Sequence, residues 1–270
     1  MPELPEVEVT RRGLIAPLQG ARISAVRLGK PLRWPLGIEE AALAGRTVQQ
    51  VLRRGKYIVL ELDQGVLLIH LGMSGSLQVA AQLPSAGTHD HFDLVTDRGM
   101  LRLHDPRRFG AVVWAPDIQS GMALKLLSTL GMEPLGEEFT LTLFVEGLKR
   151  SRMPIKQLLL GGHVVVGVGN IYASEVLFLA GISPIKPANK LTKPQVQRLH
   201  AAIQQVLAKA IELGGSTLRD FVHVDGYAGA FQAQANVYGR AGEPCTQCGQ
   251  GVLMLKQGQR STYYCKRCQK

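Results

Sequence analysis

The chain has 270 residues, 46% hydrophobic and 19% charged, enough for a sizeable core in one large domain or two ordinary ones. Lysine and arginine number 31 against 21 aspartates and glutamates, a net charge of +10 that points to an anionic partner such as nucleic acid. The longest apolar runs, such as Val66 to Ile69, fall far short of the roughly 18 to 20 residues needed to cross a bilayer, so no membrane partner is expected.

The opening MPELPEVEV has neither a basic nor an apolar segment of the kind a signal peptide uses. Pro5 fits the first turn of a helix, with Glu6 and Glu8 set against the helix dipole. Pro2 and Glu3 are left without a local reason. From Thr47 to about Trp114 the texture is β. The run from Lys56 to Ala81 alternates or stays apolar, with turn signals at Asp63-Gln-Gly65 and Ser74-Gly75. A second pair, His91 to Asp105, turns at Asp97-Arg-Gly99. Several short strands at regular spacing predict a sandwich. The comparatively acidic stretch from Asp117 to Glu146, with Gly-Met-Glu-Pro-Leu-Gly inside it, reads as a domain boundary.

Beyond it the texture turns helical. A segment from Ile155 to Leu160 precedes Val166-Gly-Val-Gly-Asn170, and a helix is expected from Ile171 to Leu179. That glycine-rich turn could bring N–H groups close to a phosphate, or serve equally as a tight helix–helix connection. Thr192 caps and Pro194 opens a further helix, with Val196, Leu199, Ile203, Val206 and Ala210 on one face and Gly214-Gly215 ending it. All four cysteines follow, as Cys245-Thr-Gln-Cys248 and, sixteen residues on, Cys265-Lys-Arg-Cys268. This is four-cysteine zinc spacing. Four thiolates fill a tetrahedral shell and leave no open position, so one structural zinc and no catalytic metal are expected. The segment also carries Arg240, Lys256, Arg260, Lys266, Arg267 and Lys270 against a single acid, Glu243, which suits a DNA clamp.

Taken together, PELPEVE from Pro2, RRGKY from Arg53, HLGMSGSL from His70, HDH from His89 and DPRRFGA from Asp105 resemble the bacterial formamidopyrimidine-DNA glycosylase family. VVGVGNIYASE from Val165, GGSTLRDF from Gly214, VYGR from Val237 and the cysteine ribbon extend the resemblance in order over nearly the whole chain. It implies an α+β multidomain fold: an N-terminal β-sandwich with an N-terminal helix (1–130), a hinge (131–149), a helix-two-turn-helix domain (150–235) and a zinc β-ribbon (236–270). It implies a monomeric, cytoplasmic, nucleoid-associated bacterial enzyme acting on damaged double-stranded DNA. The related endonuclease VIII family, and a non-catalytic damage-binding protein on the same fold, are the alternatives. A zinc hydrolase is not, because no open metal site is apparent among these residues.

With Met1 removed, Pro2 becomes a free secondary amine with a pKa near roughly 8, against roughly 10.4 for lysine. Attack at the sugar C1′ expels the base, and the ring-opened iminium, which has no N–H to lose, is an electron sink for β,δ-elimination. The resemblance implies Glu3 as proton donor to the sugar ring oxygen and Glu6 as a holder of water or substrate. Read alone, Lys56 is an ordinary strand lysine; the resemblance makes it the proton donor in β-elimination and a phosphate contact. Arg260 becomes a phosphate clamp for δ-elimination, better suited to clamping than to proton transfer. A glycosylase must take its base out of the stack. Met73, in a Gly-Met-Ser-Gly turn, and Phe109, after two arginines, are poor core candidates and form the expected wedge, with Arg107 facing the orphaned base. Phosphate contacts are expected from His70 and Asn170, with His89, His91, Arg150 and Arg152 as outer support. Lys156 and Tyr238 carry over as lesion-side contacts. Two departures from the family pattern bear on the chain. Gly161-Gly162 is expected to loosen the preceding helix end. Val224 and Ala230 lie in the loop expected to cover the flipped base.

Overall fold

The computed structural model describes residues 2–216 and 230–270, except the side chain of Gln232. Val224 lies outside the described residues. Within them the chain divides into two compact units, 2–129 with 214–216, and 130–213 with 230–270.

The first unit opens with helix α1 (Leu4–Leu18), which starts at a proline-bearing first turn and buries Leu4, Val7, Leu14 and Leu18. Strands β1 (Ile23–Leu28), β2 (Val48–Arg54), β3 (Tyr57–Leu62), β4 (Val66–His70), β5 (Ser76–Ala80), β6 (Asp90–Thr96), β7 (Gly99–His104) and β8 (Ala111–Ala115) follow. They form two antiparallel four-stranded sheets, ordered β1-β6-β7-β5 and β2-β3-β4-β8. The expected sandwich is present. Its interior joins Ile58, Leu60, Leu67 and Ile69 of one sheet to Phe92, Leu94, Leu101 and Leu103 of the other, with Val7, Leu14 and Leu18 of α1 in the same cluster. Each such buried side chain contributes roughly 1.5–3 kcal/mol relative to exposure. The turn signals hold, and Gly65 supplies the left-handed residue (φ 84°) between β3 and β4. Strand β1 escapes a sequence reading because only Ile23 of its six residues is buried, which leaves no alternation to detect.

The stretch expected as a boundary carries two helices. Helix α2 (Gly121–Leu127) lays Ala123 against Val59, Val66 and Leu68, on the opposite side of its sheet from the main core. Helix α3 (Leu141–Lys149) belongs to the second unit and buries Phe144 and Leu148. Then come α4 (Ile155–Gly161), α5 (Asn170–Leu179) and α6 (Lys193–Glu212). Helix α6 begins with a Thr192/Gln195 capping box and buries the five expected apolar residues. Gly161-Gly162 does not loosen α4: Gly162 caps it in the left-handed conformation (φ 72°), the ordinary way a helix ends at glycine. The chain finishes in a hairpin, β9 (Leu253–Gln257) with β10 (Arg260–Tyr264). Phe178 of α5, Val237, Val252, Cys245 and Cys265 form one apolar cluster beneath it. Among the described residues, no helix is long and apolar enough to cross a membrane.

Candidate active site and metal centre

The tip of the first unit is packed away rather than frayed. Pro2 is buried, and Glu3 and Glu6 are only 2% and 0% exposed. Glu6 Oε2 accepts the Glu3 backbone N–H at 2.8 Å, which fixes the chain where it enters α1. Glu6 Oε1 accepts both the backbone N–H (2.7 Å) and the hydroxyl (2.9 Å) of Ser216. Gly215, in the left-handed region at φ 80°, lets that segment approach, since a Cβ there would stand 2.9 Å from Glu6 Oε1. Glu6 thus joins the first turn of α1 to the residues that follow α6 in sequence.

Glu8 does more than face a helix dipole. Its carboxylate pairs with Arg11, Arg12 and Arg53 at 2.8, 2.9 and 3.1 Å. Burial works against its charge, but hydrogen bonds from Arg11 and Arg12 and the charges of Arg11 and Arg53 outweigh that and hold its pKa at about 2. Arg53 also donates to the Gly55 carbonyl at 2.9 Å. Lys56 follows directly. It lies in a two-residue turn between β2 and β3, not within a strand, because Gly55 takes φ 57° and Arg54 pairs with Tyr57 across the hairpin. A turn residue can project its ammonium where a strand lysine would be fixed to one sheet face.

His70 ends β4, its ring 4.8 Å from that of Tyr57. Burial, followed by the charges of Lys56 and Arg33, lowers its pKa to about 4, with Asp105 opposing. Its Nδ1 accepts the Gly72 N–H at 3.0 Å, so the neutral ring carries its proton on Nε2 and can donate from there. The pH dependence follows. The folded-state pKa lies below the unfolded value, so the unfolded chain takes the proton first as pH falls. The stability this group contributes is complete above about pH 6.5 and is lost progressively towards about pH 4. In thermal unfolding over that window, His70→Gln should show a Tm less dependent on pH than the parent protein. Identical slopes would contradict the neutral assignment.

After His70 the chain turns through Gly72, Met73 and Ser74, and Met73 is half-buried. The loop from Asp105 to Gly110 lies against that turn: a Cβ on Gly72 would meet the Phe109 carbonyl carbon at 2.4 Å. Phe109 is 45% exposed, and the Arg107 guanidinium sits 5.0 Å from its ring centre. Arg108, at φ 54°, is the one non-glycine residue in the left-handed region among those described, a strain of about 1 kcal/mol. His89 is exposed. His91 is not an outer contact: it is 2% exposed, at the register shift between Asp90 and Phe92 where β6 pairs with β7.

The second unit holds the other expected residues. Lys156, expected as a lesion-side contact, is fully buried. Its ammonium donates to Thr262 Oγ1 (2.8 Å) and the Ser261 carbonyl (3.2 Å), so it ties α4 to the hairpin. Asn170, first residue of α5, donates from Nδ2 to the same carbonyl at 3.0 Å. Both ties end beside Arg260, which is exposed at the start of β10. Tyr238 is half-buried, its ring 5.1 Å from Tyr263. Glu175, unforeseen in the sequence, accepts the backbone N–H groups of Asn236, Val237 and Tyr238 at 2.8–2.9 Å and so fixes that segment. Arg150 and Arg152 are exposed where α3 ends.

The four cysteine sulfurs lie within 4.8 Å of one another, with Cys245–Cys268 at 3.9 Å and Cys248–Cys265 at 3.5 Å. A tetrahedral zinc with Zn–S bonds of about 2.3 Å requires edges near 3.8 Å. The cluster fits one structural zinc. Cys245 and Cys265 are buried in the apolar cluster under the hairpin, so the metal would lock that packing in place.

Three family models match in chain order: formamidopyrimidine-DNA glycosylase N-terminal domain at 1–112, formamidopyrimidine-DNA glycosylase H2TH domain at 130–222, and a zinc finger found in FPG and IleRS at 242–270. The formamidopyrimidine-DNA glycosylase of Acidovorax sp. (strain JS42) is 63% identical over 270 residues, with both chains fully covered. The MutM (Fpg) protein of Thermus thermophilus superposes with a TM-score of 0.91 at 40% identity, over 99% of this chain and 98% of that one. A Lactococcus lactis FPG mutant in complex with Fapy-dG-containing DNA gives a TM-score of 0.91 at 37% identity over the whole of both chains.

Proposed function

The chain belongs to the formamidopyrimidine-DNA glycosylase family, and from that premise we infer that it is a base-excision repair enzyme for oxidised purines in duplex DNA. It releases the damaged base as a glycosylase and then cuts the strand as an abasic-site lyase. The observation that carries the chemistry to this chain is the buried Pro2–Glu3 pair held by Glu6 at the mouth of α1.

The proposed sequence of events uses the chain's own side chains. The Pro2 nitrogen, as a free amine, forms a bond to C1′ while the base–C1′ bond breaks. Glu3 gives a proton to the sugar ring oxygen, the ring opens, and an iminium remains. Lys56 handles the proton transfer that accompanies loss of the 3′ phosphate, and Arg260 holds the phosphate lost second. His70, through Nε2–H, and Asn170, His89, Arg150 and Arg152 hold backbone phosphates; Tyr238 faces the lesion side. Met73 and Phe109 intrude where the base has left, and Arg107 faces the orphaned partner. The enzyme works as a monomer in the bacterial cytoplasm, at the nucleoid.

Cleavage of duplexes carrying oxidised guanine, a formamidopyrimidine or an oxidised pyrimidine, each opposite all four bases, tests this directly. Oxidised purines should be cut fastest; a clear preference for pyrimidines would move the chain to an endonuclease VIII-like activity, and binding without cleavage would make it a damage reader. Unstacking a step costs a few kcal/mol, so replacing Met73 and Phe109 together by alanine should slow excision from duplex by about ten- to hundred-fold. Cleavage of a preformed abasic site, where no base is extruded, should change little. Arg107→Ala should narrow the differences among the four opposite bases. Equal losses on both substrates would point to a general binding defect.

A further inference from the structure

We propose that Asp105 is the positioning residue for the strand wedge, one buried carboxylate that sets the two loops carrying Met73, Arg107 and Phe109. The assignment rests on the wedge role given above. Asp105 is 0% exposed, at the end of β7. Its Oδ1 accepts the Ser74 hydroxyl at 2.7 Å and lies 3.3 Å from the Arg107 backbone N–H. Its Oδ2 accepts the Gly110 N–H at 2.7 Å. The backbone closes the same knot, with the Arg108 N–H on the Asp105 carbonyl at 3.2 Å and the Asp105 N–H on the His89 carbonyl at 2.8 Å.

One side chain therefore spans the Gly72–Ser74 turn on one side and both ends of the Arg107–Phe109 tip on the other. The fit leaves no slack. A Cβ on Gly110 would stand 2.9 Å from Asp105 Oδ2, and one on Gly72 would collide with the Phe109–Gly110 peptide. Burying a carboxylate is costly unless its oxygens are taken by donors, and here a hydroxyl and two amides take them. Packing alone would be served by an uncharged residue. What the carboxylate adds is a convergence of donors from both loops, which holds Arg108 in its left-handed conformation and leaves Phe109 presented before any DNA arrives. A wedge ordered in advance loses less conformational freedom on intrusion than one that must be assembled.

The test is Asp105→Asn, which keeps the shape but turns one acceptor into a donor facing an N–H or O–H. With 2-aminopurine beside an oxidised guanine, stopped-flow fluorescence reads base eversion separately from chemistry. Eversion and excision should slow together by roughly 30-fold, equivalent to about 2 kcal/mol. Cleavage of a preformed abasic duplex should stay within about threefold, and zinc content should be unchanged. Unaltered eversion, or an equal fall on both substrates, overturns the assignment. Should Asp105→Asn fail to fold, Ser74→Ala removes the donor to Asp105 Oδ1 and the acceptor 3.3 Å from the Arg107 N–H but leaves the Gly110 tie; a fall of about fivefold confined to the eversion phase supports the proposal, and an unchanged phase overturns it. Wild-type protein inactive on every lesion duplex would instead overturn the family-derived activity on which the wedge role stands.

Discussion

A chain with any residue retained ahead of Pro2 should lose base release and strand cleavage together, by at least about three orders of magnitude, the scale seen when a nucleophile is removed. Acylation converts the proline nitrogen to an amide, with no basic lone pair to attack C1′. The residues proposed to hold phosphates, His70, Asn170 and Arg260 among them, are untouched, so affinity for duplex DNA should fall little. Pro2→Gly separates two properties of the amine. A primary amine still attacks, so base release should survive in part. Its imine can shed a proton and become a poorer electron sink, so elimination should suffer more. Native activity from a protein of verified blocked N-terminus would move the nucleophile to Lys56, whose turn also presents an amine.

Removal of the metal should have the next largest effect. Structural zinc contributes roughly 10–16 kcal/mol in isolated zinc-finger peptides, more than the margin by which most domains are stable. Cys248→Ala should abolish stoichiometric zinc and disorder the segment from Glu243 to Lys270. Because Cys245 and Cys265 share a cluster with Phe178 of α5, the loss should also lower the Tm of the second unit. Arg260 would lose its hairpin, so DNA affinity should drop by at least about tenfold on every sequence, with a shallower salt dependence. One zinc per chain by elemental analysis is expected. A metal-free protein with native DNA affinity would contradict the structural role.

The residues that can be placed from sequence are those whose signal is local. The CxxC pairs fix their own geometry. Asp97-Arg-Gly99 and Asp63-Gln-Gly65 mark their turns, and Thr192-Lys-Pro-Gln195 writes a capping box within four residues. What cannot be placed depends on partners far along the chain. Lys156 carries over only as a lesion-side contact, and nothing near it in sequence announces that Thr262, more than a hundred residues on, takes its ammonium. His91 stands beside the core residues Phe92 and Leu94 of β6, at a register shift in the pairing with β7 that the alternation does not announce. Glu8 satisfies a dipole argument on its own, yet its principal partner beyond α1 is Arg53. Lys56 reads as a strand residue because the run around it is apolar, and only the φ 57° of Gly55 shows the turn. Asp105 opens the DPRRFGA stretch, yet its positioning role is not announced there, since an aspartate before proline reads as a turn residue. The tip is legible for a different reason. Pro2 shows no local purpose in the sequence, and a residue without one is a candidate for chemistry; Glu3, equally unexplained there, proves to be the N-cap of α1, in a capping box with Glu6.

The measurement that bears most directly on the Pro2 mechanism is borohydride trapping on a duplex containing oxidised guanine, followed by proteolysis and mass spectrometry of the adduct. If the N-terminal amine is the nucleophile, reduction of the iminium leaves DNA covalently bound to the peptide that begins at Pro2, through its nitrogen. An adduct on Lys56 or any other lysine, or strand cleavage with no trapped species, would contradict it.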